Sequence, residues 1–388
     1  MQRMRLEQAL IARQQQGLQR QSTEFSQVHG RTLLAEGKAY VNFSGNDYLD
    51  LASSPLLQQA LSEGAQQYGV GSTGSPLVTG YHSAHADLAA ELAAWLGFER
   101  VLLFSSGFAA NQTMLSSLTS AEDLLLLDKL SHASLIDAAL QHSGRFKRFA
   151  HNDLAALARL LPETATAEQH SLVVTEGVFS MDGDSPDLAA MLQLCQTRDA
   201  ALLLDDAHGL GVLGEEGRGS WFAQGLQPSD LYCYMANFGK ALGVGGAFLA
   251  GSRTVIDYIE QFGRHYVYST ALSPALCVAV RKSIALVRTD TWRRDKLNEN
   301  IQYFRRLATQ AGLPCLTANG AIQAIIIGDS AKALSVSQQL RQQGIWVTAI
   351  RPPTVPPGTA RLRVTLSAAH HTDDIQRLIK TLQQVLLC

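Results

Sequence analysis

Apolar residues run along this chain in short unbroken clusters, separated by stretches with helical spacing. From about residue 83 the two patterns alternate. Leu88, Leu92, Trp95 and Leu96 share one helical face after Ser83, and Gly97 follows, so the spacing predicts a helix capped by Ser83. Val101 to Phe104, Leu124 to Leu127, Leu172 to Val174, Leu202 to Leu204, Leu231 to Met235 and Ala247 to Leu249 read as buried strands. A helix is expected near Leu135 to Leu140. Ser185-Pro186 reads as a cap and first helical residue for another, running to about Cys195. Continuous apolar strands between helices indicate an α/β domain whose mostly parallel sheet is covered on both faces.

After about residue 275 the pattern changes. Two long helical stretches, roughly 276–288 and 292–310, precede a β-α-β-β-α run. Its strands are Ala324 to Ile327, Trp346 to Ile350 and Leu362 to Leu366, with a helix at Leu334 to Leu340. A last helix capped by Thr372 carries Ile375, Leu378, Ile379, Leu382 and Leu386 in one stripe. The expected division is an N-terminal arm (1–45), a large α/β domain (46–275) and a smaller C-terminal α+β domain (276–388).

Composition narrows the function classes. Of 388 residues, 46% are hydrophobic and 17% charged, enough for a sizeable core. Lys and Arg number 32 against 34 Asp and Glu, a balance that argues against nucleic acid as a partner. No apolar run is long enough to span a bilayer, and the N-terminal stretch reads as a polar amphipathic helix and not a signal peptide. Five scattered cysteines without a CxxC suggest a reduced, cytoplasmic chain with neither disulfides nor a zinc site.

Several loops carry candidate chemistry. Gly209-Leu-Gly-Val-Leu-Gly214 fits GxGxxG after a strand, but the following Glu215-Glu-Gly-Arg-Gly-Ser220 cannot start the helix that a dinucleotide site needs. Ser105-Ser-Gly-Phe-Ala-Ala-Asn111 is better placed, with a hydroxyl and backbone N–H groups at a helix start, suited to a single phosphate. Asp205-Asp-Ala-His208 lies at a strand end, where open α/β sheets hold ligands. Of eight lysines, only Lys129 and Lys240 sit at strand ends in the large domain. Lys240 lies among small residues and is the first candidate for a Schiff base. A phosphate cup, a strand-end Asp, a nearby His and a lysine together match the needs of pyridoxal 5′-phosphate (PLP).

The chain resembles the α-oxoamine synthases, a family of fold-type I PLP-dependent transferases. The likeness rests on Phe43-Ser-Gly-Asn-Asp-Tyr-Leu49, Gly71-Ser-Thr-Gly-Ser75, Ser106-Gly-Phe-Ala-Ala-Asn111 and Leu130-Ser-His-Ala-Ser-Leu135. It continues through Thr175-Glu-Gly-Val-Phe-Ser-Met-Asp-Gly-Asp184, Asp205-Asp-Ala-His-Gly209, Phe238-Gly-Lys240, Tyr268-Ser-Thr270 and Ile350-Arg-Pro-Pro-Thr-Val355.

The resemblance implies that Lys240 forms the Schiff base and that Asp205 pairs with the pyridinium nitrogen. His208 would bond the phenolic oxygen with help from Ser180, and His132 would stack on the ring. Ser106, Gly107 and Phe108 would hold the phosphate, with Tyr268 or Thr270 reaching in from a second subunit of a homodimer. Arg363 would hold the amino-acid carboxylate near Asn46, and Ser75 would border the substrate. Arg20 and Arg351 could meet the far carboxylate of an acyl chain. The implied substrates are L-alanine and a pimeloyl thioester, carried on coenzyme A or acyl carrier protein. Three positions depart from the family pattern. Asn237 stands where Thr is common and is expected to change the phosphate contacts, Asp50 replaces a frequent Gly, and Pro76 follows Ser75. Two other readings remain at this point: another PLP reaction, such as glycine acylation with acetyl-CoA or transamination, and a dinucleotide-binding α/β protein.

Overall fold

The computed structural model describes residues 2–16, 18–163 and 170–386. Three short strands come first: β1 (Gln27–His29), β2 (Thr32–Ala35) and β3 (Lys38–Asn42). The next seven are β4 (Arg100–Phe104), β5 (Leu124–Asp128), β6 (Arg145–Phe149), β7 (Ser171–Glu176), β8 (Ala200–Asp205), β9 (Cys233–Asn237) and β10 (Ala247–Gly251). The last four are β11 (Ile322–Gly328), β12 (Ile345–Trp346), β13 (Thr348–Ile350) and β14 (Ala360–Thr365).

The central sheet has seven strands in the order β4-β10-β9-β8-β7-β5-β6. Only β10 runs antiparallel to its neighbours, so the sheet is mixed, and the fold is that of the fold-type I PLP enzymes. Its strands are apolar throughout because both faces are covered. Leu124, Leu126, Val173, Leu202 and Leu204 enter one core cluster, while Leu125, Leu127, Leu172, Val174 and Leu203 enter the other. That alternation of period two also orients the residues at the end of each strand. Asp205 continues the face of Leu203, and Asp206 continues the face of Leu204. Full burial of each such Leu stabilises by roughly 1.5–3 kcal/mol.

The strands β11, β14 and β13 form an antiparallel sheet with β14 in the middle. Leu362 and Val364 of β14 enter the core, which turns Arg361 and Arg363 to the opposite face. A third sheet joins β1, β2, β3 and β12, with β12 parallel to β3. The helix Pro274–Thr289 packs on the helices Pro55–Tyr68 and Ser83–Leu96. The helix Gln2–Gln15 buries none of its residues.

Several expected boundaries are corrected. His82 caps the helix Ser83–Leu96, its backbone N–H donated to His85 Nδ1 at 3.0 Å, so Ser83 is the first helical residue. The helix expected to open at Ser185-Pro186 is Leu188–Thr197. Its cap is Asp187, whose carboxylate accepts from Ala190 N. Thr372 is likewise the first helical residue and not the cap. The strand expected at Trp346 to Ile350 is two, because β12 pairs with β3 and β13 with β14. Among the described residues, no helix is long and apolar enough to cross a membrane.

Candidate active site

The strand ends β5, β7, β8 and β9 open onto one side of the sheet, where Asp205, His208, His132 and Lys240 meet. Asp205 ends β8 and is buried. Its Oδ2 accepts from Asn111 Nδ2 at 2.7 Å and its Oδ1 from Ala207 N at 2.9 Å. No cation pairs with it among the described residues. Buried carboxylates are normally paired, so this one is prepared for a cation.

Lys240 follows β9 through Phe238-Gly239. Its Nζ lies 2.9 Å from His208 Nε2, and His208 Nδ1 lies 2.7 Å from the Tyr48 hydroxyl. Burial, opposed by Asp205 and Glu176, lowers the Lys240 pKa to about 8. Burial and then the Lys240 charge push His208 well below its usual range, so its imidazole is neutral. A lysine N–H donating to Nε2 leaves the Nδ1 proton for Tyr48 Oη. Tyr48 O–H then donates to Asn46 Oδ1, 3.1 Å away. Burial pushes the Tyr48 pKa up to about 12, which keeps it a phenol.

The same Asn46 oxygen accepts from Arg363 Nη2 at 3.1 Å, and Arg363 Nε donates to the Ser180 carbonyl at 2.6 Å. Arg363 lies in the central strand of its sheet, is 8% exposed, and has no carboxylate partner among the described residues. It is a buried guanidinium matched to an incoming carboxylate. The contact of Ser180 with Arg363 is through its backbone carbonyl.

Ser106 caps the helix Gly107–Leu118, its Oγ accepting from Ala109 N at 3.2 Å. The N–H groups of Gly107 and Phe108 begin that helix. Asn237 places Nδ2 against Gly107, while its Oδ1 accepts from Gly239 N. His132 caps the helix Ala133–Leu140, with Nδ1 accepting from Ser134 N and its own N–H donated to Glu176. Partial burial of its ring lowers its pKa, against the pull of Asp205. Burial, and then the Asp205 charge, raise Glu176 well above the carboxylate range.

Other expected residues lie farther out. Ser75 accepts from Val78 N and Gly80 N through its carbonyl, and Tyr268 and Thr270 are exposed. Arg20 donates to Thr354 Oγ1 at 3.4 Å, and Arg351 lies in the same loop, its carbonyl accepting from Thr354 N. That loop borders a groove of about 530 Å³ lined by Lys129, Phe179, Met181, Pro352, Thr354 and Arg361, among others. Asp50 has φ 56°, a left-handed conformation that glycine adopts freely.

Sequence reasoning gave no role to Tyr48, Asn111, Ser134 or Glu176. All four stand inside motifs of the family likeness, but nothing along the chain tells which partner each faces. The GxGxxG run is explained without a ligand. Glu215–Gly217 is a single 3₁₀ turn, a side chain at Gly209 would collide with the buried Asp206 carboxylate, and Gly211 and Gly214 hold φ of 82° and 77°.

The residues fit PLP. A buried unpaired carboxylate, a lysine held near its deprotonation point and a capped helix start match the ring nitrogen, aldehyde and phosphate in turn. The family described as aminotransferase class I and II matches residues 38–382. A serine palmitoyltransferase from S. paucimobilis with bound PLP-myriocin aldimine is 27% identical, covering 98% of this chain and 96% of its own, at TM-score 0.92. The Sphingomonas wittichii serine palmitoyltransferase is 28% identical over 97% and 96%, also at 0.92. An 8-amino-7-oxononanoate synthase from Francisella tularensis is 28% identical over 89% and 97%, at 0.79.

Proposed function

The chain belongs to the aminotransferase class I and II family, and on that premise we propose that it is an 8-amino-7-oxononanoate synthase of biotin biosynthesis. It is a PLP-dependent member of the α-oxoamine synthases. In the proposed reaction L-alanine condenses with a pimeloyl thioester of coenzyme A or acyl carrier protein, giving 8-amino-7-oxononanoate, CO₂ and the free carrier thiol. The observation that carries the chemistry is a pair of buried charges, the Asp205 carboxylate and the Arg363 guanidinium, that have hydrogen bonds but no ion-pair partner among the described residues and flank Lys240.

PLP, when bound, supplies a Schiff-base carbonyl and an electron sink for the Cα carbanion. Lys240 would carry the Schiff base, Asp205 would meet the ring nitrogen, and the Ser106–Phe108 turn with Asn237 would hold the phosphate. Ser180 and His208 would border the ring oxygen, and His132 would cover the ring face. Arg363 orients the amino-acid carboxylate, with Asn46 fixing the guanidinium. Once the substrate amine has taken its place, Lys240 would be a free amine with its pKa near 8, able to remove the Cα proton at Nζ, and neutral His208 would accept a bond from that amine without competing for its charge. Lysine basicity is what burial adjusts here.

The acyl chain would lie in the groove beside Ser180, and Arg20, bonded to Thr354 of the groove wall, would meet a terminal carboxylate together with Arg351. This favours a dicarboxylic donor over the uncharged chain of a palmitoyl thioester. Neutral substitutions at Arg20 or Arg351 test it. They should weaken use of the pimeloyl thioester by roughly 10- to 150-fold, the worth of a charge-assisted hydrogen bond, and spare an uncharged acyl thioester of equal length. Equal losses on both donors would remove the dicarboxylic reading. We further propose a cytoplasmic homodimer that divides into the arm (1–45), the large domain (46–275) and the C-terminal domain (276–388). Tyr268 and Thr270 would then act toward the partner's cofactor.

A further inference from the structure

Two turns wall the site, and one side chain outside it joins them. β5 ends at Asp128 and leads through Leu130 to His132. The turn after β7 carries Phe179, Ser180 and Asp184. His151, just beyond β6, places Nδ1 2.8 Å from Asp128 Oδ1 and Nε2 2.8 Å from Asp184 Oδ2. A carboxylate oxygen only accepts, so both ring nitrogens must donate, and the ring is an imidazolium. Asp182 also lies within 4.8 Å, but an imidazolium has no lone pair left to ligate a metal.

The clamp is connected at both ends. Asp128 is wholly buried and also accepts from Leu130 N and Asn152 N, which shapes the turn into His132. Asp184 also accepts from Asn152 Nδ2, and its carbonyl accepts from Phe179 N. The His151 ring meets Phe179 edge to face at 4.4 Å. Ser180, the next residue, holds Arg363 through its carbonyl. The charged groups facing the ring are Asp128 from β5, Asp182 and Asp184 from the turn, and, behind Asp182, its ion-pair partner Arg361 from β14. Burial lowers the His151 pKa, but hydrogen bonds to Asp128 and Asp184 outweigh it and raise the pKa to about 9.

We propose that His151 is a positioning residue that ties the His132 turn to the Ser180 turn and so sets where Arg363 presents its guanidinium to the amino-acid carboxylate. This rests on the reading of Arg363 as the carboxylate anchor. The test titrates the holoenzyme with L-alanine, reading the dissociation constant from the visible absorbance, and measures kcat and the acyl-donor KM separately. His151→Gln should raise the alanine dissociation constant ~10-fold, the worth of one charge-assisted hydrogen bond, while kcat and the acyl-donor KM stay within about 2-fold.

The affinity ratio of wild type to His151→Gln at each pH cancels the ammonium titration of alanine itself. A pKa raised to about 9 means the wild-type advantage is present below that pH and disappears as pH rises through it. Asp184→Asn removes one acceptor charge and should move that step to lower pH, which keeps the test alive if His151→Gln folds poorly. Unchanged alanine affinity in both variants, or a lowered melting temperature with no selective effect on alanine, overturns the clamp. Arg363→Lys separates the two claims. If it weakens alanine and the His151 variants do not, only the clamp fails; if it leaves alanine binding unchanged, the anchor reading and the clamp fall together.

Discussion

Asp205 and Asp206 are neighbours in the chain with opposite surroundings. Asp205 meets Asn111 on the face of the sheet that carries the helix Gly107–Leu118. Asp206 accepts from Ser220 N and the Tyr234 hydroxyl on the other face, where burial pushes its pKa up to about 7. Asp205→Asn should slow turnover on the order of 100-fold or more, since it removes the charge proposed to face the cofactor's ring nitrogen. Asp206→Asn should stay within about 5-fold, because it lies on the far face from the site and an amide oxygen can accept the same bonds from Ser220 N and the Tyr234 hydroxyl. Steady-state kcat for both variants decides, and equal losses would contradict the assignment. Lys240 adds a second expectation. With its pKa lowered to about 8, the single-turnover rate of Cα proton exchange should climb as pH rises through that value. Exchange that is flat from pH 7 to about 9 would remove Lys240 from the role of base. Lys240, Asp205 and His208 were legible in the sequence because each comes at or just after the end of a buried strand. Arg363 was not readable from pattern, because a cation in the middle of an apolar strand looks like its solvent face. Only the family likeness singled it out.

At the scale of elements, the glycines around Asp206 test how the turns were built. Gly219 has φ 114°, and a methyl there would meet both the Asp206 carboxylate and the Tyr234 hydroxyl. Gly225 has φ 79° with open space around it. Gly219→Ala should therefore cost more than about 2 kcal/mol in urea unfolding, while Gly225→Ala costs about 1 kcal/mol for the backbone alone. Equal costs would mean that the close packing against Asp206 does not matter. The long buried strands were legible because covering both sheet faces leaves unbroken apolar runs. The antiparallel direction of β10 was not, since one sheet position buries the same residues whichever way it runs. The strands β1, β2 and β3 were missed because they are short and none is a continuous buried run: β1 is exposed and the other two only partly buried. Trp346 to Ile350 hid a branch point: one apolar run serves two sheets, and only the register shows where it divides.

For the whole molecule, the surface carries an unfinished edge. Val70, Val78 and Tyr268 are 85%, 78% and 73% exposed, and the Gly74 carbonyl is tied to Ala271 N, which joins the two loops that bear them. Clustered apolar exposure of this kind marks an interaction surface. A second copy of the chain covering these loops should make the protein a dimer in sedimentation at assay concentration. A Val78→Glu and Tyr268→Glu double variant should shift it toward monomer with loss of turnover. A fully active monomer would contradict shared active sites. The proposed reaction itself is tested by supplying the holoenzyme with carboxyl-labelled L-alanine or L-serine, each with pimeloyl, acetyl and palmitoyl thioesters, then counting CO₂ and thiol together. The expected result is equal amounts of labelled CO₂ and free thiol, fastest with the pimeloyl donor, and a product with the mass of 8-amino-7-oxononanoate. Thiol release that prefers serine with the palmitoyl donor, or release without CO₂, would contradict it.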